Sequence, residues 1–333
     1  MSSQTILSQE NIRKNYGWLI VIGLCLLPLL KMKFDTYMTL TIAGLAFGMF
    51  IFLTAVGLSV IFGLMDVLNM AHGAFFAFGG YASYTVISKL GGFGWVDTGT
   101  TGQSWASFGL GILAAVVIGI ILGFILERVI IKKVYGDHLK QILITMGSAY
   151  VLVEIIKIIW GPNDEQVLVP AAFDGSWIFG DVIITKYRVV AIAVGVLVLI
   201  IAQLILKKTK IGIIVRAGVE NKEVVQAIGY NINKIFTGVF LVGAALAAIG
   251  GAMFSFNKLQ VYPGMGDEQF IFAIIVVVIG GMGSIAGSFI GALMVGLAYN
   301  YVSFMVPPLA LGIDIIIMAV ILLIKPKGLL GQQ

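Results

Sequence analysis

Polar side chains inside long apolar stretches are the residues of this 333-residue chain that could do chemistry. Asn69 and His72 are three positions apart, so they share one face if their segment is helical. Glu154 and Lys157 have the same spacing, which favours a structural ion pair, whereas Asp314 has no basic residue within one helical turn. An ionisable group at membrane depth is a candidate for a substrate or proton pathway, because burying it in lipid is costly. The alternative for His72 and Asp314 is a purely structural role.

No arrangement of residues typical of an enzyme accompanies these groups. The chain has no G-x-x-x-x-G-K-[ST] loop, no H-E-x-x-H and no G-x-S-x-G. It has one cysteine, Cys25, and two histidines, His72 and His138, so we predict neither a metal site nor a cofactor. If the protein performs energised transport, the energy must come from a partner or from an ion gradient.

The elements that position the polar groups are membrane-spanning helices. Hydrophobic residues make up 59% of the chain and charged residues 11%, against roughly 25% charged in soluble proteins. This composition excludes a soluble enzyme, a nucleic-acid binder and a disordered chain, and predicts an all-α polytopic membrane protein. The third, eighth and ninth apolar segments contain glycine interruptions, so eight to ten crossings are predicted. The apolar segments are 17–30, 37–62, 67–88, 106–126, 141–160, 187–206, 236–256, 269–281, 285–305 and 307–324.

The distribution of basic residues predicts the orientation. With a cytoplasmic N-terminus, most of the 21 basic residues fall in cytoplasmic loops, so both termini are predicted to be cytoplasmic. Lys31 and Lys33 are exceptions. We interpret segment 17–30 as an uncleaved first span, because no small-residue cleavage site follows it.

Two segments combine glycine with polar residues at membrane depth. The first runs from Gly63 to Gly73, followed by Gly79 and Gly80, and the second runs from Gly280 to Gly287. Non-helical backbone survives in a bilayer only when it is buried in protein or lines a wet cavity. Paired interruptions of this kind point to a transport pathway, although kinks packed against neighbouring helices would give the same pattern.

The loop at 207–235 is predicted to be cytoplasmic and to contain a short amphipathic helix. Asn221 can cap it, Val224, Val225 and Ile228 form its apolar stripe, and Gly229 suits its C-terminal cap. Such a helix can enter a groove on another protein. It could instead lie in the lipid headgroup layer.

These stretches resemble the permease of bacterial high-affinity branched-chain amino acid ABC importers, a family that also includes urea and amide permeases. The resemblance covers roughly residues 37–331 and rests on four stretches in order. They are Gly63–Gly73, Leu126–Arg128, Arg216–Asn231, and Gly280–Ser284 with the closing Lys325–Gly331. Ala74 departs from many relatives, which have an acidic residue there, and many relatives also lack the first span.

The resemblance implies a single permease domain over residues 1–333 that works with other proteins. The implied partners are two cytoplasmic ABC ATPase subunits, a second permease that is identical or related, and an external solute-binding protein. The protein would lie in the bacterial plasma membrane, in contact with lipid and with no nucleic acid. The expected translocation residues are Asn69, His72, Gly73, Gly281, Gly283, Ser284 and Asp314. The expected ATPase-coupling residues are Arg216, Glu220, Asn221, Val224, Ile228 and Gly229.

The leading hypothesis is import of a branched-chain amino acid or a similar small polar solute by alternating access, driven by the partner ATPases. A urea or amide permease is the alternative within the family. Outside it, an ion-coupled carrier that works alone would use Asp314, Glu154 and His72 as a proton relay.

Overall fold

The computed structural model describes Gly23, Pro28 and residues 32–331 except Asn221. The predicted first span at 17–30 therefore lies outside the described residues, apart from those two positions. The side chains of Ile211, Val219, Glu220, Lys222, Glu223, Val224 and Leu311 are likewise not described.

The described part of the chain is almost entirely helical. Its α-helices are α1 (Phe34–Met65), α2 (His72–Gly92), α3 (Thr101–Val129), α4 (His138–Trp160), α5 (Lys186–Lys208), α6 (Lys210–Glu220), α7 (Lys222–Ala227), α8 (Ile232–Lys258), α9 (Met265–Gly280), α10 (Ile285–Met305) and α11 (Ala310–Ile324). Short 3-10 turns are at Ile131–Lys133 and Pro307–Leu309. Four short strands complete the fold: β1 (Glu165–Gln166), β2 (Ser176–Phe179), β3 (Val182–Thr185) and β4 (Gln260–Val261).

Six of these helices are long and apolar enough to cross a membrane: α1, α3, α4, α5, α8 and α10. A shorter apolar helix covers Gly312–Ile324, within α11. The prediction of a helical, polytopic membrane protein is confirmed, with two small antiparallel ladders, β1–β4 and β2–β3, added in the connecting loops. The count of eight to ten crossings and the orientation of the termini stay predictions.

The glycine interruptions differ in position from those expected. The ninth apolar segment is not interrupted, because α10 is a continuous helix of 21 residues. The break lies just before it, at 281–284. The other break covers 66–71, whereas Gly79 and Gly80 lie inside α2 and leave it intact. Hydropathy alone could not show this, since glycine between packed helices and glycine at a chain break look alike.

Helices α1, α8 and α10 form the centre of the bundle. In the most apolar 18 residues of each of these helices, 72–83% of the residues are buried. The corresponding share is 11–28% for α3, α4 and α5, whose exposed apolar faces are left for lipid. Glycine allows the central backbones to approach closely. Gly44 and Gly48 of α1 lie against the backbone of α10, and Gly119 of α3 lies against Ala248 of α8.

The loops gather at two ends of the bundle. At one end, His138 pairs with Asp66, and Val225 shares an apolar cluster with Ile131. We call this the basic end, because Lys132, Lys133, Lys140, Lys207, Lys208 and Arg216 belong to its loops and helix ends. The opposite end holds the loops at 93–100, 161–185 and 259–264, which are joined by the β1–β4 ladder and by a hydrogen bond from the Ala171 amide to the Val96 carbonyl.

Candidate functional site

The first break is a non-helical segment, 66–71, that is held by polar side chains of α4. Asp66 ends α1 in the left-handed conformation, with φ 56°. The amide of Leu68 donates to Gln141 Oε1 at 3.1 Å, and the amide of Met70 donates to Thr145 Oγ1 at 3.0 Å. Both side chains are fully buried. Two backbone groups that would otherwise be unsatisfied at a helix break are therefore bonded to the neighbouring helix.

His72 begins α2 and is completely buried between α1 and α8. Its Nε2 lies 3.0 Å from the carbonyl oxygen of Thr54, which can only accept, so Nε2 carries the proton. Its ring meets Phe75 edge-on, with centroids 5.9 Å apart. The ring fits because Gly57 faces it, and a side chain at Gly57 would also collide with the backbone of Gly243 on α8. Nδ1 is buried and has no hydrogen-bond partner among the described residues.

Asn69 and Gly73 lie on either side of the start of α2. Asn69 Oδ1 accepts from the amide of Ala71 at 3.1 Å, which closes a local turn, and its Nδ2 is buried without a described partner. Asn69 is thus outside the helix, so the shared helical face considered for Asn69 and His72 is not formed. Gly73 packs against the backbone of Gly266 on α9, where a side chain would not fit.

The second break, 281–284, contacts the last two turns of α1, which lead into the first break. Gly281 and Gly283 have φ of 94° and 80°, a region that favours glycine. Ser284 caps α10 by accepting from the amide of Gly287 at 3.0 Å. The Gly283 amide donates to Ser59 Oγ of α1 at 3.1 Å, and a methyl group on Gly63 would overlap the Cα of Gly283. The structure therefore brings together the two glycine-containing segments that the sequence singles out.

The closing segment 325–331 covers the end of α9. The amides of Leu329 and Leu330 donate to the carbonyls of Ile279 and Gly280 at 2.8 and 2.9 Å. These are two of the four backbone carbonyls at a helix C-terminus that have no hydrogen-bond partner within the helix. Gly328 lies against the backbone of Gly281, which leaves no room for a side chain at either glycine. The two parts of the fourth motif are thus one structural unit.

Asp314 lies on α11, away from these contacts. Its side chain is buried, and neither carboxylate oxygen has a hydrogen-bond partner among the described residues. Helix α11 packs against α9 and α10. No described hydrogen bond or ion pair joins Asp314 to the His72 or Gly283 segments, so its place in a common pathway stays a prediction. The Glu154–Lys157 ion pair does form, at 2.6 Å, on an exposed face of α4.

The predicted amphipathic helix at the basic end is a helix pair. Helix α6 ends at Glu220 and α7 begins at Lys222; Asn221, the expected cap, lies outside the described residues, as do the side chains of Glu220 and Val224. Gly229 closes α7 with φ 93°: its amide donates to the Gln226 carbonyl, and the Tyr230 amide donates to the Val225 carbonyl. These two bonds form a Schellman motif, so the expected glycine cap is present.

The expected apolar stripe of α7 is divided between two environments. Val225 is 1% exposed, whereas Ile228 is 68% exposed and the neighbouring Tyr230 is 46% exposed. Arg216 of α6 is also exposed. Of the stripe predicted from spacing, the Val224 side chain is not described, Val225 is buried and Ile228, which follows the last helical residue, is exposed. Val225 anchors the segment, and Ile228 and Tyr230 form an exposed apolar tip.

An apolar cluster connects this segment with the first break. It contains Val225, Ile232 and Phe236 from the basic end, and Val67, Ala71 and Phe75 around the break. Phe240 meets Phe75 edge-on at 6.1 Å, and Phe75 contacts the His72 ring. A continuous set of packed apolar side chains therefore extends from α7 to the phenylalanine beside His72.

Glu127, from the Leu126–Arg128 motif, is buried at the same end of the bundle. Its Oε1 accepts from the Tyr135 hydroxyl at 3.1 Å. Burial and the negative charge of Glu127 raise the pKa of Tyr135 above its usual value, so the hydroxyl remains a donor at neutral pH.

Sequence reasoning missed the residues that hold the breaks: Thr54, Ser59, Gln141 and Thr145. A signal for two of them was present. Gln141 and Thr145 are four residues apart at the start of an apolar segment, so they share a face of α4. Thr54 acts through its backbone carbonyl and has no such signal.

Thr145→Val tests whether α4 supports the first break. The substitution keeps the shape of the side chain but leaves the buried amide of Met70 without its acceptor, which should cost about 1–3 kcal/mol of unfolding free energy. Ser148→Ala is the matched control, since the exposed Ser148 hydroxyl bonds only the Ile144 carbonyl of its own helix. Thermal unfolding in detergent should show a lower midpoint for Thr145→Val alone, and equal midpoints for the two variants would contradict the assignment.

The amino-acid sequence of this chain matches a family of known proteins. Residues 40–324 match the family described as "Branched-chain amino acid transport system / permease component". The chain is 27% identical over 296 residues to the high-affinity branched-chain amino acid transport system permease protein LivH of Escherichia coli K12, covering 87% of this chain and 94% of the relative. It is 26% identical to the high-affinity branched-chain amino acid transport system permease protein BraD of Pseudomonas aeruginosa, over 89% of this chain and 96% of BraD.

A second type of permease also matches, over a smaller part. LivM of Salmonella typhimurium, likewise a high-affinity branched-chain amino acid transport system permease protein, is 27% identical over 254 residues, which is 68% of this chain and 55% of LivM. No solved structure matches.

Proposed function

This chain belongs to the family of branched-chain amino acid transport system permease components, and on that premise we propose that it is the membrane subunit of an ATP-driven importer. It is a multi-pass protein of the plasma (inner) membrane. It would import leucine, isoleucine or valine, or a solute of similar size and polarity, by alternating access.

The observation that carries this proposal is the exposed tip formed by Ile228 and Tyr230 on an anchored segment of the basic end. Exposed aromatic and aliphatic side chains on a rigid turn suit a groove on a partner protein. A headgroup-layer helix would need its apolar face along one side, whereas Val225 points inward and Ile228 outward. We propose that two cytoplasmic ABC ATPase subunits bind this tip and the corresponding tip of a second permease.

The pairing with a second permease is supported by the match to both LivH-type and LivM-type proteins, which their names assign to the same kind of transport system. An external binding protein would deliver the solute at the opposite end.

The two breaks supply a place where the bundle can change shape. Broken helices are typical of the moving parts of transporters. Here Gly283 of the second break touches Gly63 near the end of α1, and the bond from the Gly283 amide to Ser59 is the only hydrogen bond described between that break and α1. We propose that the ATPase cycle moves α6 and α7, that the apolar cluster transmits this motion to the His72 segment, and that Gly283 then separates from α1 to open the path.

The solute class is tested by uptake in cells that lack the chain. Loss of the gene should abolish high-affinity uptake of labelled leucine, and a plasmid copy should restore it. Unlabelled isoleucine and valine should compete with leucine, and urea should not. Loss of urea uptake with normal leucine uptake would instead support the urea and amide branch of the family.

A further inference from the structure

A cavity of about 250 Å3 opens at the basic end, where the ends of α1 and α5, helix α6 and the first turn of α10 meet. Two cations, Lys207 of α5 and Arg216 of α6, line it together with the amide of Gln203. None of the described residues that line the cavity is acidic, and neither cation is in an ion pair with a described carboxylate. The cavity therefore has a positive potential that no neighbouring side chain described here neutralises.

The start of α10 adds to this potential. Ser284, Ile285 and Ala286 line the cavity at the helix N-terminus, which carries a partial positive charge. The Ser284 hydroxyl accepts from the amide of Gly287, whereas the amides of Ile285 and Ala286, in the first turn of the helix, have no described hydrogen-bond partner. Two cationic side chains beside free helix amides form a site for an anion, and a phosphate group is the anion that this combination suits best.

The surroundings of the cavity indicate that the anion belongs to a lipid. Leu64, Leu206 and Leu330 supply apolar walls beside the cations. Just above it along α5, Leu204 and Ile205 are among the exposed apolar residues of a helix whose outer face is left for lipid. A basic pocket between helices at the cytoplasmic surface is a known type of phospholipid headgroup site, and acyl chains can continue along the lipid-facing helix.

We propose that this cavity binds the phosphate headgroup of an anionic phospholipid of the inner leaflet, with Lys207 and Arg216 as its counter-charges. The bound headgroup would contact α6, the first helix of the pair α6 and α7, and Gly283, which belongs to the second break. It would therefore link the two parts that the proposed transport cycle moves. The binding itself does not depend on that proposed function, because it is measured on the isolated chain.

The test is lipid binding by the purified protein in detergent, followed by native mass spectrometry and by the thermal unfolding midpoint. Phosphatidylglycerol should bind and raise the midpoint, whereas phosphatidylcholine should have little effect. The double variant Lys207→Gln with Arg216→Gln should lower the affinity for phosphatidylglycerol about tenfold or more. The control Lys132→Gln with Lys133→Gln removes the same charge at the same end, outside the cavity, and should bind as the unaltered protein does.

A second variant covers the case in which the double variant fails to fold. Ala286→Asp places a carboxylate in the first turn of α10, where the helix dipole favours it, and this carboxylate would occupy the anion site. It should also lose phosphatidylglycerol binding. Unchanged binding by Ala286→Asp would overturn the proposal. So would stabilisation by inorganic phosphate equal to that by phosphatidylglycerol, since the site would then be one for a free anion.

Discussion

Replacing Gly63 with alanine should lower solute uptake by at least about tenfold at equal amounts of protein in the membrane. The added methyl group would overlap the Cα of Gly283, so α1 and the second break could not close on each other as they do here. The hydrogen bond from the Gly283 amide to Ser59 would lengthen as the segments separate. The change should therefore disturb the arrangement in which the second break touches α1, and with it one half of the proposed transport cycle.

The control for this variant is Gly109→Ala on α3. Gly109 has open space where its Cβ would be, so alanine should be tolerated there and uptake should be normal. Labelled leucine uptake in cells, corrected for the amount of each variant by immunoblotting, gives the comparison. Normal uptake by Gly63→Ala would show that the contact between α1 and the second break is not needed for transport.

The second large effect is expected at the exposed tip of the basic end. Ile228→Glu should prevent the ATPase subunits from co-purifying with the permease and reduce uptake to background, because a charge would replace an apolar contact at the centre of the proposed interface. The fold should be kept, since Ile228 is 68% exposed and follows the last residue of α7. Pull-down of the ATPase subunits on an affinity-tagged permease measures the effect.

Leu139→Glu is the matched control for Ile228→Glu. Leu139 is 70% exposed and also lies at the basic end, in the first turn of α4, where an acidic residue suits the helix dipole. Retention of the ATPase subunits by Leu139→Glu and their loss with Ile228→Glu would locate the interface. Equal retention by both would place the docking surface elsewhere.

The sequence predicts the fold class and the membrane location well, because both follow from composition and from the length of apolar runs. It also predicts which two segments contain breaks, since Gly63–Gly73 and Gly280–Ser284 combine glycine with polar residues. The sequence does not predict that α10 is continuous, because a continuous helix whose small residues face α9 has the same composition as a helix interrupted by glycine. Gly287 and Gly291 lie on that face.

The partners of the breaks could not be predicted from local sequence. Gly283 contacts Gly63 and Ser59, which precede it in the sequence by more than 200 residues. This contact depends on how α1 and α10 pack. The segment 325–331 pairs with the end of α9 for the same reason. The exposed tip of Ile228 and Tyr230 could not be predicted either, because spacing does not show which side chains of the stripe the rest of the bundle covers.

Uptake into liposomes tests most directly whether this chain is driven by partner ATPases. With the second permease, the ATPase subunits, the binding protein and internal ATP, labelled leucine should accumulate, and omission of ATP should stop it. The purified chain alone, under a proton or sodium gradient, should accumulate none. Gradient-driven accumulation by the isolated chain, lost on Asp314→Asn, would contradict the account and identify an ion-coupled carrier.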